Sequence, residues 1–213
     1  FSSEMNISLK SDAKLYHLGE SHCLSYAHHT LKFCDLDYTI LPLITFGAKA
    51  FHFSSAMNNQ YKAITESHLA SINKNSNIFV SFGEIDCRAD EGFIQASKKI
   101  NVPIQSLIKE TVESYIKWFY DQNTLFNHRL IFLNVPAPIY NSKLSHVINY
   151  EVNNTISCFN LYIKKVSEKY GFFMIDVHSF TSGNDGFSNN LYHLDNRHLG
   201  PKSLTNIESL LKL

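Results

Sequence analysis

The strongest constraint on the fold is an alternation that runs the length of the chain, in which short apolar runs are separated by long segments with helical spacing. Lys14 to Leu18 (KLYHL), Tyr38 to Thr45 (YTILPLIT), Asn77 to Phe82 (NIFVSF), Leu130 to Val135 (LIFLNV) and Phe172 to Val177 (FFMIDV) read as strands. A helix is expected from about Ser21 to Phe33, after Gly19 breaks the first strand, and a moderate one from Tyr61 to Ile72. Beyond Pro103, Ile104, Leu107, Ile108, Val112, Tyr115, Ile116 and Phe119 recur on one helical face. A second long helix carries Leu144 to Val166 and stops at Gly171, and a last one runs from about Pro201 to Leu211. Helical connections of this length make neighbouring strands parallel, because a parallel pair needs a long right-handed crossover. The expectation is an α/β chain, one domain over 1–213, folded as a three-layer α/β/α sandwich around a five-stranded parallel sheet. Reactive groups in such sheets collect in the loops at the carboxyl ends of the strands.

Composition removes several classes of function. The 213 residues hold 19 basic and 19 acidic side chains, so no net field draws the chain to nucleic acid. No run approaches the roughly 20 apolar residues that span a bilayer. Residues 1 to 12 carry Glu4, Lys10 and Asp12 rather than a signal-peptide core. The chain opens at Phe1, which suits a piece of a longer protein. Cys23, Cys34, Cys87 and Cys158 show neither CxxC nor paired spacing, which favours reduced, buried thiols and a cytoplasmic location over disulfides. His22, Cys23 and Cys87 lack zinc-like spacing, and no GxGxxG or Walker pattern occurs, so neither metal nor cofactor is expected.

At the strand ends, Gly19-Glu20-Ser21-His22 puts a hydroxyl at the start of a helix, where unpaired N–H groups favour negative charge. Ser21 there is either a nucleophile or simply an N-cap. Asp195-Asn196-Arg197-His198 puts a carboxylate three residues before an imidazole, close enough on a turn to hold Nδ1 and leave Nε2 outward as a base. The serine lies in no GxSxG elbow and precedes the second strand, unlike an α/β-hydrolase. Tyr115, Trp118, Phe119 and Tyr120 read as the core and rim of a helix rather than a sugar platform.

Gly19-Glu20-Ser21 after the first strand, Gly47 after the second, Gly83-Glu84-Ile85-Asp86 after the third and Asp195-x-x-His198 before the last helix together resemble the SGNH, or GDSL-like, hydrolase superfamily. The resemblance implies a flavodoxin-like sandwich in which Ser21 attacks an ester carbonyl, His198 is the base and Asp195 orients it. It also implies an oxyanion held by the N–H groups of Ser21 and Gly47 and by a third-block asparagine. Here Glu20 stands in place of the usual aspartate, and Ile85 stands where the asparagine should be. Losing one oxyanion donor costs about 10²- to 10³-fold in rate.

Arg88 is the candidate replacement donor, with pairing to Asp86 or Glu84 as the structural alternative. Glu20, His22, Asp86 and His193 are candidate substrate-binding residues, although a cap or an ion pair suits Asp86 better, and Arg197 flanks the base. The function expected is a serine-dependent esterase or deacylase acting on a short acyl ester, acetyl above others, of a small molecule or glycan. The alternatives are a glycan O-acetyltransferase using the same triad and a non-catalytic carbohydrate- or partner-binding domain.

Overall fold

A computed structural model describes residues 13–212; Glu4, Lys10 and Asp12 lie outside the described residues. In chain order the elements are β1 (Lys14–Gly19), β2 (Thr30–Phe33), β3 (Leu36–Ile44), α1 (Ala50–Ser54), α2 (Gln60–Ser71), β4 (Asn77–Ser81), α3 (Phe93–Ile100), α4 (Ile104–Asn123), β5 (Arg129–Leu133), α5 (His146–Lys169), β6 (Phe173–Ile175), α6 (Val177–Thr181) and α7 (Leu204–Leu211). They form a six-stranded sheet of order β2-β3-β1-β4-β5-β6 with helices on both faces. Every neighbouring pair is parallel except β2 with β3.

The sixth strand corrects the expected helix over Ser21 to Phe33. Only Ser21–Leu24 is helical, as a 3-10 turn, and the chain then reverses into β2. Thr30 to Phe33 alternates, with Leu31 and Phe33 buried and Thr30 and Lys32 exposed, which is a strand period rather than a helical one. Cys34 (φ 49°) and Asp35 (φ 61°) both take left-handed backbone, as a tight two-residue hairpin requires. Cys34 is consequently exposed at the turn, unlike buried Cys23 and Cys87. Pro42 is tolerated because β2 pairs only with Leu36 to Thr39 of β3, leaving Pro42 beyond its reach. The sequence reading also left α3 unassigned.

Alternate residues of the central strands feed two cores. Ile78 and Val80 of β4, with Leu130 and Phe132 of β5, pack under Phe53, Val112, Phe119 and Phe159 of α1, α4 and α5. Phe79, Ile131 and Leu133 face the other way, toward Tyr26, Leu204 and Ile207. The chain leaves β1 toward β3 on one side and leaves β4 toward β5 on the other. The crevice between the carboxyl ends of β1 and β4 is therefore the switch point where such sheets bind ligands.

Candidate active site

Gly19, the last residue of β1, lies level with Ile44 of β3 and Ser81 of β4, and its carbonyl accepts the Thr45 N–H at 2.8 Å. The loops that follow β1, β3 and β4 therefore leave the sheet side by side. Glu20, not Ser21, caps the 3-10 turn, its Oε2 accepting the His22 N–H at 3.1 Å. Ser21 is thus released from the capping role, its hydroxyl lying 2.9 Å from the Oε2 of that cap.

Across the crevice, the segment before α7 folds around Asp195. The Oδ1 of Asp195 accepts the Arg197 N–H at 2.8 Å and the His198 N–H at 2.7 Å, and the Leu194 N–H reaches the His198 carbonyl at 2.8 Å. This closed turn leaves Oδ2 2.8 Å from His198 Nδ1 and brings His198 Nε2 2.9 Å from Ser21 Oγ. Burial pushes the Asp195 carboxyl up, but the His198 N–H, the His198 ring and the Arg197 N–H outweigh it and hold the group down at about 2. A carboxylate, an imidazole and a hydroxyl stand in bonded series, which is the geometry for moving a proton off the hydroxyl.

Gly47 adopts φ 69°, left-handed backbone that glycine supplies without strain. Among the described residues, the N–H groups of Ser21 and Gly47 meet no acceptor. Ile85 is buried in a 3-10 turn (Ile85–Cys87) and offers no donor. The Arg88 fork, expected as a replacement, is taken up by carboxylates. Its Nε and Nη2 donate to Glu84 at 2.6–3.1 Å and its Nη1 to Glu91 at 3.0 Å, with Lys49 on the far side of Glu91 at 2.8 Å. This is the loop-stiffening alternative. The sequence reading named Glu84 but missed Glu91, which lies three residues after Arg88, and Lys49, which no local spacing links to this loop.

Three of the four expected substrate contacts also need correction. Asp86 is 1% exposed, and its two oxygens accept the Ala50 and Phe51 N–H groups at 2.7 and 3.1 Å, capping α1. Glu20 is equally buried. Its Oε1 lies 2.6 Å from His22 Nδ1 and its Oε2 accepts the Ser21 hydroxyl at 2.9 Å. His22 is turned inward too, with Nε2 3.0 Å from the Arg197 carbonyl. For Glu20, burial raises the carboxyl, but the His22 bond and charge and the Ser21 hydroxyl bring it below its ordinary value. For His22, burial lowers the ring, but the Glu20 bond and charge carry it above. His193 does line a cavity of about 450 Å³, which Asn196 and Arg197, the two residues between Asp195 and His198, also line, with Val135, Ala137 and Ile156 on its apolar side.

The sequence matches no family profile, and no curated protein matches it. Solved structures do match in shape. A GDSL-like lipase from Bacteroides thetaiotaomicron superposes with a TM-score of 0.61 at 11% identity, over 93% of this chain and 85% of that one. An extracellular lipase from Streptomyces rimosus gives 0.58 at 13% identity, over 94% and 98%. An SGNH hydrolase candidate from Slackia heliotrinireducens gives 0.54 at 14%, over 94% and 97%. This is the SGNH hydrolase fold. In this chain the loop after β4 carries the hydrophobic side chain of Ile85 and an ion-pair network of Glu84, Arg88, Glu91 and Lys49.

Proposed function

We propose that the chain is a serine ester hydrolase, with Ser21 as nucleophile, His198 as general base and acid, and Asp195 holding the imidazole. The observation that carries this reading is the bonded series Ser21 Oγ, His198 Nε2 and Nδ1, Asp195 Oδ2, with a contact of 2.9 Å between Ser21 and His198 from opposite ends of the chain and one of 2.8 Å between His198 and Asp195 within a single turn. Ser21 Oγ attacks the ester carbonyl carbon while its proton passes to Nε2. The N–H groups of Ser21 and Gly47 receive the oxyanion. Collapse expels the alcohol with the proton from Nε2, and water then repeats the cycle on the acyl-enzyme. His198 moves the proton in both halves, and Asp195 stabilises the imidazolium in each.

For substrate, we favour a short acyl ester, such as an acetyl ester, of a polar alcohol such as a carbohydrate. Asn141, Lys143, Asn196 and Arg197 rim the cavity beside the triad, which suits hydroxyl-bearing alcohols. The bonded series speaks against the non-catalytic alternative. The test is acetate release from p-nitrophenyl acetate and from acetylated sugars, without added acceptor. Ser21→Ala should lower kcat about 10⁴-fold or more, and a fluorophosphonate should label Ser21 in the unaltered chain. Equal turnover by the variant would refute the mechanism, and turnover that requires a sugar acceptor would make the chain a transferase.

A further inference from the structure

A second carboxylate–imidazole pair lies against the first, and the mechanism above does not use it. His22 Nε2 is 3.0 Å from the Arg197 carbonyl, which can only accept, so Nε2 carries a proton. His22 Nδ1 is 2.6 Å from Glu20 Oε1, and a second proton lies on that contact. Glu20 Oε2 already faces the His22 N–H and the Ser21 hydroxyl, and the contacts and charges of the pair hold the carboxyl below its ordinary value and the ring above its own, so the proton of the 2.6 Å contact sits on the ring and His22 is an imidazolium against a buried carboxylate. Its ring centroid is 4.7 Å from that of His198.

The connections of this pair are specific. Arg197 immediately precedes His198, and the turn that carries them closes mainly on itself through Asp195 and Leu194. Asp195 and Arg197 are exposed. The His22 bond spans 175 residues of sequence to tie this exposed turn to the turn that carries Ser21. On its other side, Glu20 Oε2 accepts the His22 N–H and lies 2.9 Å from Ser21 Oγ, as does His198 Nε2, so the single Ser21 proton has one acceptor in each pair and goes to one of them at a time. A buried ion pair adds little net stability over an apolar pair of the same shape, so stability alone does not account for it.

We infer that Glu20 and His22 are positioning residues, a buried strut that holds the His198 turn within bonding distance of Ser21 through the Arg197 carbonyl and balances charge beside the base. The inference rests on the triad reading of Ser21, His198 and Asp195. The charged and titratable groups facing His22 are Glu20 on its own turn, His17 on β1, Glu84 on the third-block loop with its Arg88 partner, and His193 and His198 on the C-terminal turn.

The test begins with fluorophosphonate labelling of the unaltered protein. If Ser21 is not labelled, the triad reading fails and this inference falls with it. With labelling in hand, His22→Ala should lower kcat about 10- to 100-fold by loosening the base, with KM changed less than about twofold. It also strands the Glu20 carboxylate, so the acid limb of the kcat/KM profile should move to higher pH. Glu20→Gln lets the amide oxygen accept from Ser21 and the amide N–H donate to a neutral His22, so its loss should be smaller and its acid limb should not move upward. Labelling of His22→Ala at the unaltered rate with an unmoved limb would overturn the inference while leaving the triad standing. If His22→Ala does not fold, heteronuclear NMR of the unaltered protein decides: two ring N–H groups on His22 at about pH 7 support the strut, and one overturns it.

Discussion

Two buried ionisable groups beside the site oppose each other, and removing one should expose the other. Burial pushes the Asp86 carboxyl from its ordinary 3.8 up to about 7, against the pull of the Phe51 and Ala50 N–H groups. Folded Asp86 keeps a proton that the unfolded chain has lost. Its contribution is thus complete below 3.8 and is lost as pH rises toward about 7. At about 1.4 kcal/mol per pH unit, this is roughly 4 kcal/mol. His17 runs the other way. Burial first, then the charge of His22, lowers its ring from 6.5 to about 3, so the unfolded chain binds a proton that the folded one refuses. Stability from His17 rises with pH between those values, by roughly 5 kcal/mol. The two slopes nearly cancel from about pH 4 to about pH 6.5. Asp86→Asn removes one of them. Its amide oxygen keeps one N–H bond and its amide group confronts the other, a penalty of about 1–2 kcal/mol that does not vary with pH. Glu20, His22 and Asp195 titrate alike in both proteins and drop out of the difference. Urea unfolding across this range should show the stability of Asp86→Asn climbing about 3–4 kcal/mol relative to the unaltered chain. Parallel curves for the two proteins would refute the reasoning.

The third-block loop offers two further tests. A Cβ on Gly83 (φ 127°) would stand 2.3 Å from Cε1 of buried Phe159, so Gly83→Ala should destabilise by about 3 kcal/mol or more in urea unfolding; stability within about 0.5 kcal/mol of the original would contradict the packing. Arg88→Ala strips Glu84 and Glu91 of their shared cation and should lower stability by about 1–3 kcal/mol while reducing kcat less than about tenfold; a hundredfold loss of kcat in a fully stable variant would restore Arg88 as an oxyanion donor.

How far these features could be read from the sequence depended on whether the signal was local. The strands β1, β4 and β5 and the helices α4 and α5 lie within a few residues of their expected positions, because their apolar periods are long and their ends are marked by Gly or Pro. The hairpin of β2 and β3 was misread because four alternating residues, Thr30 to Phe33, are too few to outweigh a helical reading that began at Ser21. Asp195 and His198 could be singled out because the contact between them is made within one turn. The inward turn of Glu20 and His22 was not legible, because it depends on the Arg197 carbonyl arriving from 175 residues away. Asp86 was suspected as a cap, but its helix is α1, which precedes it in the chain, and nothing in the local spacing points there.

That misplaced cap bears on the asparagine this chain lacks. On the proposed mechanism the oxyanion depends on backbone N–H groups, so the chemistry is only as good as the placement of Gly47. Gly47 lies three residues before α1, whose first two N–H groups are held by Asp86 of the third block. Lys49, between them, is held by Glu91, which also binds Arg88. The third-block loop therefore holds the three residues Lys49, Ala50 and Phe51, just after Gly47. A side-chain donor at position 85 would supply one hydrogen bond directly. This chain buries Ile85 in the 3-10 turn and uses the neighbouring charges to fix the backbone that carries another donor. Preorganised backbone N–H groups need no reorganisation when charge develops, so on the proposed mechanism a Gly47 N–H held in place by its neighbours would offset part of what the missing amide would have contributed.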